Sequence, residues 1–259
     1  MLRIGLIGCG KWGKVVANEI RKHNLFNLAS VVCNSEFKYD GDFIHLDRIK
    51  ESINKEINDC LYVAALPSTN MEVAKLASEI NMPLIIEKPS VDNYSHALEL
   101  RKLVEDKNLI VFPNTTNFFS ETYKKVKLFV DTNLNNIEKL TIFEGGFGPF
   151  RKNIHPIWDW GYHPLSLILQ LFKNNKFSNF QMSEIKNNLL DSKKIVSRFN
   201  FKINNKISVK LVTGNFFKTK KRILKISLKN KDNNLSKNLI DTSCIVTEIL
   251  EKFYPYNRN

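Results

Sequence analysis

The sequence predicts an α/β protein in two parts. Residues 1–118 should form a doubly wound parallel sheet, and residues 119–259 a smaller C-terminal α+β domain with an open, mostly antiparallel sheet. Three observations predict this. Short apolar runs alternate with helical spacings through the first 120 residues, the pattern of strands whose crossover helices cover both faces of a sheet. A glycine cluster, Gly8-Cys9-Gly10-Lys11-Trp12-Gly13, closes the first apolar run. Beyond residue 137 strand-like runs dominate, with a single helical spacing among them.

Leu2–Ile7 is apolar and ends in the glycine turn, so it reads as a buried strand. Val15, Val16, Glu19 and Ile20 follow at helical spacing, and Leu28–Cys33 is the second strand. Residues 36–60 are polar and fit a shortened strand–helix unit. Cys60–Leu66 is a third clear strand, stopped by Pro67. Val73, Ala74, Leu76, Ala77 and Ile80 mark one helix face. Leu84–Ile86 is a strand leading into Glu87-Lys88-Pro89. Tyr94, Ala97, Leu98, Arg101 and Val104 lie on another helix, with Asp92 or Asn93 as its cap. Leu109–Phe112 closes the series, and the boundary falls near 115–122.

In the second half, Ile137–Phe143 reads as a strand ending at Gly145–Gly146, followed by an aromatic-rich loop from Phe147 to Tyr162. Leu165, Ile168, Leu169 and Phe172 share a face, so a helix begins near Trp160–Pro164, with Pro164 tolerated in its first turn. Strands are expected near 179–187, 194–203, 206–213 and 222–229, with Asn204–Asn205 as a hairpin turn.

Composition excludes several classes. Of 259 residues, 43% are hydrophobic and 25% charged, which excludes wholesale disorder. The apolar runs are too short to span a membrane. The net charge of +13 comes from scattered lysines rather than a basic helix, so no nucleic-acid partner is expected. The one dense basic run, Lys218–Arg222, reads as a solvated turn between strands. Cys9, Cys33, Cys60 and Cys244 form no C-x-x-C pair and no zinc pattern. They are expected to be small buried hydrophobes in a reducing cytoplasm, and no metal is expected.

Three constellations carry chemistry. The glycine cluster matches G-x-G-x-x-G between a strand and a helix, the setting in which that pattern binds a dinucleotide. Its first glycine makes the tight turn, its second admits the pyrophosphate, and its third packs helix on strand; Lys11 and Trp12 stand at the helix N-terminus beside the phosphates. At the end of strand two the usual acid is replaced by Asn34 and Ser35. Asn34 can bind a ribose hydroxyl but does not repel a 2′-phosphate, and Lys38 is within reach of one while no arginine stands beside Asn34, so NAD and NADP both remain open. Glu87-Lys88-Pro89 falls at a strand's carboxyl end, where ligands of such sheets sit. Lys88 there either binds a substrate hydroxyl or is a surface lysine before a turn. Asp159-Trp160-Gly161-Tyr162-His163 sets a carboxylate and an imidazole four residues apart at a helix start. The pair suits either a general base of fixed tautomer or an N-cap and a packed histidine.

The order of these motifs, with Glu-Lys-Pro about 75 residues after the glycines and Asp-x-Gly-x-His in the second domain, resembles the Gfo/Idh/MocA oxidoreductases (glucose-fructose oxidoreductase and inositol dehydrogenase among them). The likeness covers most of residues 1–172 and extends to Ala65-Leu66-Pro67-Ser68-Thr69-Asn70, which is similar to a cofactor-side loop of that family. It implies a Rossmann domain, an NAD or NADP cofactor, and a small polyhydroxylated substrate such as a sugar, cyclitol or sugar nucleotide. It also implies a homodimer or higher homo-oligomer. It makes Lys88, Asp159 and His163 the motif lysine, aspartate and histidine. It places Gly8, Gly10, Lys11, Trp12, Gly13, Asn34, Ser35, Leu66, Pro67, Asn70, Glu87 and Lys88 toward the cofactor. Arg151, Tyr162, Trp160 and Asn117 are expected toward substrate. The chain departs from the family in its short second domain, in Asn117 where an arginine is frequent, and in Pro164 after the histidine. Hydride transfer at a carbinol carbon follows, with His163 moving the hydroxyl proton, Asp159 orienting it and Lys88 binding the reacting oxygen. A dinucleotide-binding sensor, or a non-redox enzyme with tightly held NAD, stays open as an alternative.

Overall fold

Buried apolar runs make the first sheet. Ile4, Leu6 and Ile7 of β1 (Leu2–Ile7) and Leu61 and Val63 of β4 (Cys60–Val63) are almost wholly shielded, as strands covered on both faces must be. The computed structural model describes residues 1–33, 44–150, 155–187, 194–229 and 240–241. Its chain divides into two units, Met1–Thr115 and Thr116–Asn259.

In the first unit, β1 is followed by α1 (Lys11–Lys22), β2 (Phe26–Val32), β3 (Ile44–Leu46), α2 (Ile49–Ser52), β4, α3 (Pro67–Glu79), β5 (Leu84–Ile86), α4 (Tyr94–Lys107) and β6 (Val111–Pro113). The described strands pair in the order β3-β2-β1-β4-β5-β6, all parallel. The order reverses between β1 and β4, the switch point at which such sheets bind ligands. On α1 the buried face is Gly13, Val16, Ala17 and Ile20, while Val15 and Glu19 are exposed. Pro67 does not end β4, which stops at Val63; it opens α3, where its missing N–H is not needed. Asn93 caps α4 by accepting the His96 N–H at 2.8 Å, and Asn108, left-handed at φ 54°, ends it.

The second unit takes the larger share of the chain. Its first element, α5 (Glu121–Asn133), lies in a segment for which the spacing predicted nothing. Only Thr122, Val126 and Val130 are buried there, a stripe too thin to stand out in sequence. The Ser120 side chain caps it through the Tyr123 N–H at 3.1 Å. Then follow β7 (Ile137–Phe147), a π-type turn at Ile157–Gly161, α6 (Tyr162–Leu171), β8 (Phe177–Asn187), β9 (Lys194–Ile203), β10 (Ile207–Gly214), β11 (Phe216–Leu228) and β12 (Ile240–Asp241). The described order is β12-β11-β7-β10-β9-β8; β7 and β10 run parallel and the other neighbours antiparallel. One face packs Val126 and Val130 of α5, Ile168 of α6 and Phe172 just after it against Leu140, Ile203, Leu211 and Leu224 of the sheet. Asn204 and Asn205 turn the β9–β10 hairpin, both at positive φ (51° and 57°), with the Lys206 N–H donating to Ile203 O at 3.0 Å; Ile203 pairs with Ile207 across this three-residue connection.

Two expectations need correction. Lys218–Arg222 is not a turn; it lies within β11, whose pairing with β7 is interrupted between Phe216 and Lys221. Lys218, Lys220 and Lys221 are exposed, but Arg222 turns inward, its Nε 3.2 Å from the buried Glu144. Nor are the cysteines uniformly buried hydrophobes. Cys60 is buried and free, whereas Cys9 and Cys33 are half-buried and joined as a disulfide, their Cα atoms 5.6 Å apart. Their strand ends are neighbours in the sheet, a proximity no sequence spacing reveals. Cys244 lies outside the described residues.

Candidate functional site

The glycine turn has the shape its residues demand. Gly8 sits at φ +101°, and a Cβ there would come within 2.5 Å of the Ala64 carbonyl oxygen. Its N–H donates to Val32 O at 3.0 Å, tying the turn to β2. A Cβ on Gly13 would lie 2.0 Å from Gly8 O, so only glycine lets α1 rest on the turn. Gly10 is different: nothing lies within 4 Å of where its Cβ would be. Gly10 also begins α1, with no side-chain cap and no acid in the first turn. An open space before an uncapped helix end fits a pyrophosphate, whose charge the N-terminal N–H groups would meet. Lys11 is exposed and Trp12 half-buried at this end.

Trp12 leads to the second feature. Its indole N–H donates to Glu87 Oε1 at 2.6 Å. The same oxygen accepts the Tyr62 hydroxyl at 2.5 Å and the Asn114 Nδ2 at 2.6 Å, while Oε2 accepts the Lys88 N–H at 3.3 Å. Glu87 thus joins α1, β4, β5 and the end of β6 through one carboxylate. Burial first, then the charge and hydrogen bond of Glu87, push the Tyr62 phenol above its ordinary range, so it donates as a neutral hydroxyl. Lys88 follows at the carboxyl end of β5, half-buried, ahead of a cis peptide to Pro89. Asn70 is buried, and its Nδ2 donates to Ser90 O at 3.0 Å and to Pro89 O at 3.4 Å, bracing the turn after Lys88. Leu66 is exposed and Pro67 half-buried at the head of α3.

In the second unit, Asp159 lies in the π-type turn and His163 is the second residue of α6; both are half-buried. The Tyr162 ring stands edge-on to the His163 ring, centroids 6.3 Å apart. Pro164 is buried in the first turn of α6. Trp160 is held down: its Nε1–H donates to Gly148 O at 3.0 Å, and its ring lies where a Cβ on Gly146 would be. His155 Nε2 is 3.0 Å from Glu184 Oε1, and its Nδ1 accepts the Ile157 N–H. Burial raises the Glu184 pKa, but hydrogen bonds from Lys186 and Ser197 and the nearby His155 outweigh it and hold the carboxyl below its usual range. Asn215, fully buried, accepts the Ile195 N–H at 2.9 Å and donates to Pro149 O at 3.2 Å, clasping the loop that Trp160 also grips. Asn117 is half-buried in a 3-10 turn, Thr116–Phe119, and its carbonyl accepts the Ser120 side chain. Arg151, Asn34, Ser35 and Lys38 lie outside the described residues.

The structure therefore brings Gly8, Gly10, Lys11, Trp12 and Gly13 into one turn and ties Glu87 to it. Asp159, Trp160, Tyr162 and His163 share one turn of the second unit. Tyr62, Asn114, Glu184 and Asn215 escaped the sequence reading. For Tyr62 a signal existed, a hydroxyl inside an apolar central strand, which must find a partner. Among the described residues no helix is long and apolar enough to cross a membrane, and no three metal-ligating side chains cluster.

Sheet order, glycine turn and open phosphate space together define a dinucleotide-binding α/β protein. Residues 2–115 match the family described as "Oxidoreductase family, NAD-binding Rossmann fold" (GFO_IDH_MocA). The cofactor of that unit is accordingly NAD or NADP. A 4-hydroxy-tetrahydrodipicolinate reductase from Helicobacter hepaticus is 29% identical over 101 residues, spanning 38% of this chain and 40% of that protein. Solved structures extend the likeness across both units. A putative oxidoreductase from Magnetospirillum magnetotacticum superposes with TM-score 0.76 at 17% identity, covering 96% of this chain and 89% of that one. Apo scyllo-inositol dehydrogenase from Lactobacillus casei gives 0.75 at 12% identity, covering 93% and 75%. Biliverdin reductase from Synechocystis sp., in complex with biliverdin and NADP+, gives 0.67 at 15%, covering 99% and 92%. At these identities the structures establish the fold of the second unit.

Proposed function

We propose that the chain is an NAD(P)-dependent oxidoreductase that transfers hydride between nicotinamide and a hydroxyl or keto carbon of a sugar, cyclitol or sugar nucleotide. The observation that carries this reading is the single carboxylate of Glu87. It ties Trp12, in the cofactor turn, to the strand end that presents Lys88. When bound, the nicotinamide supplies the hydride acceptor or donor. Lys88 binds the reacting oxygen and lowers the cost of negative charge on it. His163 takes the hydroxyl proton during oxidation and returns it during reduction, with Asp159 orienting the ring. Tyr162, Arg151 and Asn117 contact substrate; Trp160 contributes by fixing the loop it grips. The protein acts in the cytoplasm as a homodimer or higher homo-oligomer, which sedimentation tests: a single monomeric species at micromolar concentration overturns the oligomer.

The ligand retained on purification, identified by mass spectrometry, names the substrate class. His163→Ala is expected to lower turnover by about 10²–10⁴-fold with dinucleotide affinity nearly intact, and Lys88→Ala to lose both rate and substrate affinity. A His163→Ala enzyme with unimpaired turnover ends the acid/base assignment. Absence of any net NAD(P)H turnover with wild-type protein and the retained ligand transfers the reading to a sensor or a non-redox enzyme.

A further inference from the structure

We propose that Cys9 and Cys33 form a reversible disulfide site through which thiol oxidation strengthens dinucleotide binding. The inference rests on the dinucleotide reading of the glycine turn. The two Cα atoms are 5.6 Å apart, inside the range that a disulfide spans without backbone movement. Both residues are half-buried, within reach of a small thiol reagent, while Cys60 is 7% exposed on the same sheet and unpaired. Cys9 is the residue between Gly8 and Gly10, so its backbone is part of the phosphate turn. Cys33 immediately follows Val32, whose carbonyl accepts the Gly8 N–H at 3.0 Å. The disulfide therefore adds a covalent tie beside the hydrogen bond that holds the turn against β2.

The chemistry is thiol–disulfide exchange with a small-molecule disulfide of the glutathione type. Cys9 lies two residues before α1 and reacts as its thiolate. That thiolate attacks one sulfur of the reagent, breaking its S–S bond and releasing one thiolate. The Cys33 thiolate then attacks the Cys9 sulfur of the mixed disulfide, forming Cys9–Cys33 and releasing the second thiolate. The two protons from the protein thiols end on the two leaving groups, and two electrons pass from the protein to the reagent.

The direction follows from the turn's shape. With the pair closed, Gly8 keeps its bond to Val32 and the space at Gly10 stays open. The oxidised turn is thus already in its receptive form, and less ordering remains for the cofactor to impose. By linkage, bound cofactor favours the disulfide to the same extent.

The test equilibrates wild-type protein across ratios of reduced to oxidised glutathione. Peptide mapping by mass spectrometry follows the cross-link, and calorimetry measures NADH and NADPH affinity in each state. Expected are a Cys9–Cys33 peptide that accumulates with oxidation and affinity at least about fivefold tighter in the oxidised state. Cys33→Ser should bind like reduced wild type at every ratio, and Cys60→Ser should respond like wild type. No cross-link at any ratio, or a cross-link with equal or weaker affinity, overturns the proposal. Binding in neither state, with the cross-link mapped, overturns the dinucleotide reading and the coupling with it.

Discussion

The glycine turn of the first unit and the aromatic loop of the second reach their shapes by opposite means. The turn is set by backbone approaching backbone: Gly13 against the Gly8 carbonyl, Gly8 against that of Ala64. The contact of Gly13 with Gly8 lies within the turn, and those with Ala64 and Val32 come from at or just beyond the ends of the two strands beside β1. The described part of the loop between β7 and α6 is set by side chains instead, one remote in the chain and one local. Asn215 fastens Pro149 from 66 residues away, and Trp160 fastens Gly148. A shape imposed by the absence of side chains is written where it occurs. A shape imposed by remote polar clasps is written elsewhere.

Substitutions can break that contrast, the largest effect first. Gly13→Ala drives a methyl into the Gly8 carbonyl and should cost about 3 kcal/mol or more of first-unit stability in denaturant unfolding. Gly10→Val, by contrast, meets open space; stability should change by about 1 kcal/mol or less, while calorimetry should show dinucleotide binding abolished. If Gly10→Val binds NAD(P)H normally, the open space is not the phosphate site. Asn215→Ala leaves a buried N–H and a carbonyl unpaired and should cost about 2–4 kcal/mol. If thermal melting detects no loss, the Asn215 side chain is not what holds the loop. Glu87→Gln exchanges an acceptor of four donors for an amide that must also place its own N–H groups. A loss of about 1–3 kcal/mol is expected, measured in the same way.

The smallest effect is a pH effect at Glu184. Its carboxyl is held below the usual range, so its contribution is complete above the unfolded glutamate value of about 4.3. The contribution fades as pH falls through the native value. Glu184→Gln should flatten that acid limb by about 1 kcal/mol or less and leave neutral-pH melting close to wild type. An unchanged acid limb would show that His155, Lys186 and Ser197 do not favour the ionised form.

The same contrast explains what was legible. The parallel sheet, the tight turn at Gly8 and close packing at Gly13, the Asn204–Asn205 hairpin and the start of α6 follow from local chemistry: φ preferences, apolar periodicity and proline's missing N–H. α5 stayed hidden because its buried stripe is only Thr122, Val126 and Val130. Lys218–Arg222 read as a turn because charge alone does not distinguish a loop from a strand with a solvated face. Glu87 was legible as a motif residue, but its partners were not, since Tyr62 and Asn114 reach it only through the pairing of β4, β5 and β6. The disulfide was hidden for the same reason, being a contact made by sheet order rather than by spacing.

The position of β7 in the second sheet carries a consequence for how the chain acquires its structure. β7 is the first strand of that sheet to be synthesised, yet it sits between β10 and β11. Its first neighbour begins at Ile207, sixty residues after β7 ends at Phe147. Until then Leu140 and Ile142 have no sheet to join, and β8 and β9 can pair only with each other. The second unit is therefore dominated by contacts distant in sequence and should close slowly and late. The first unit, complete by Thr115, can fold while the rest is still being made. A chain halted after β9 would carry a finished dinucleotide fold and an unpaired, aggregation-prone strand.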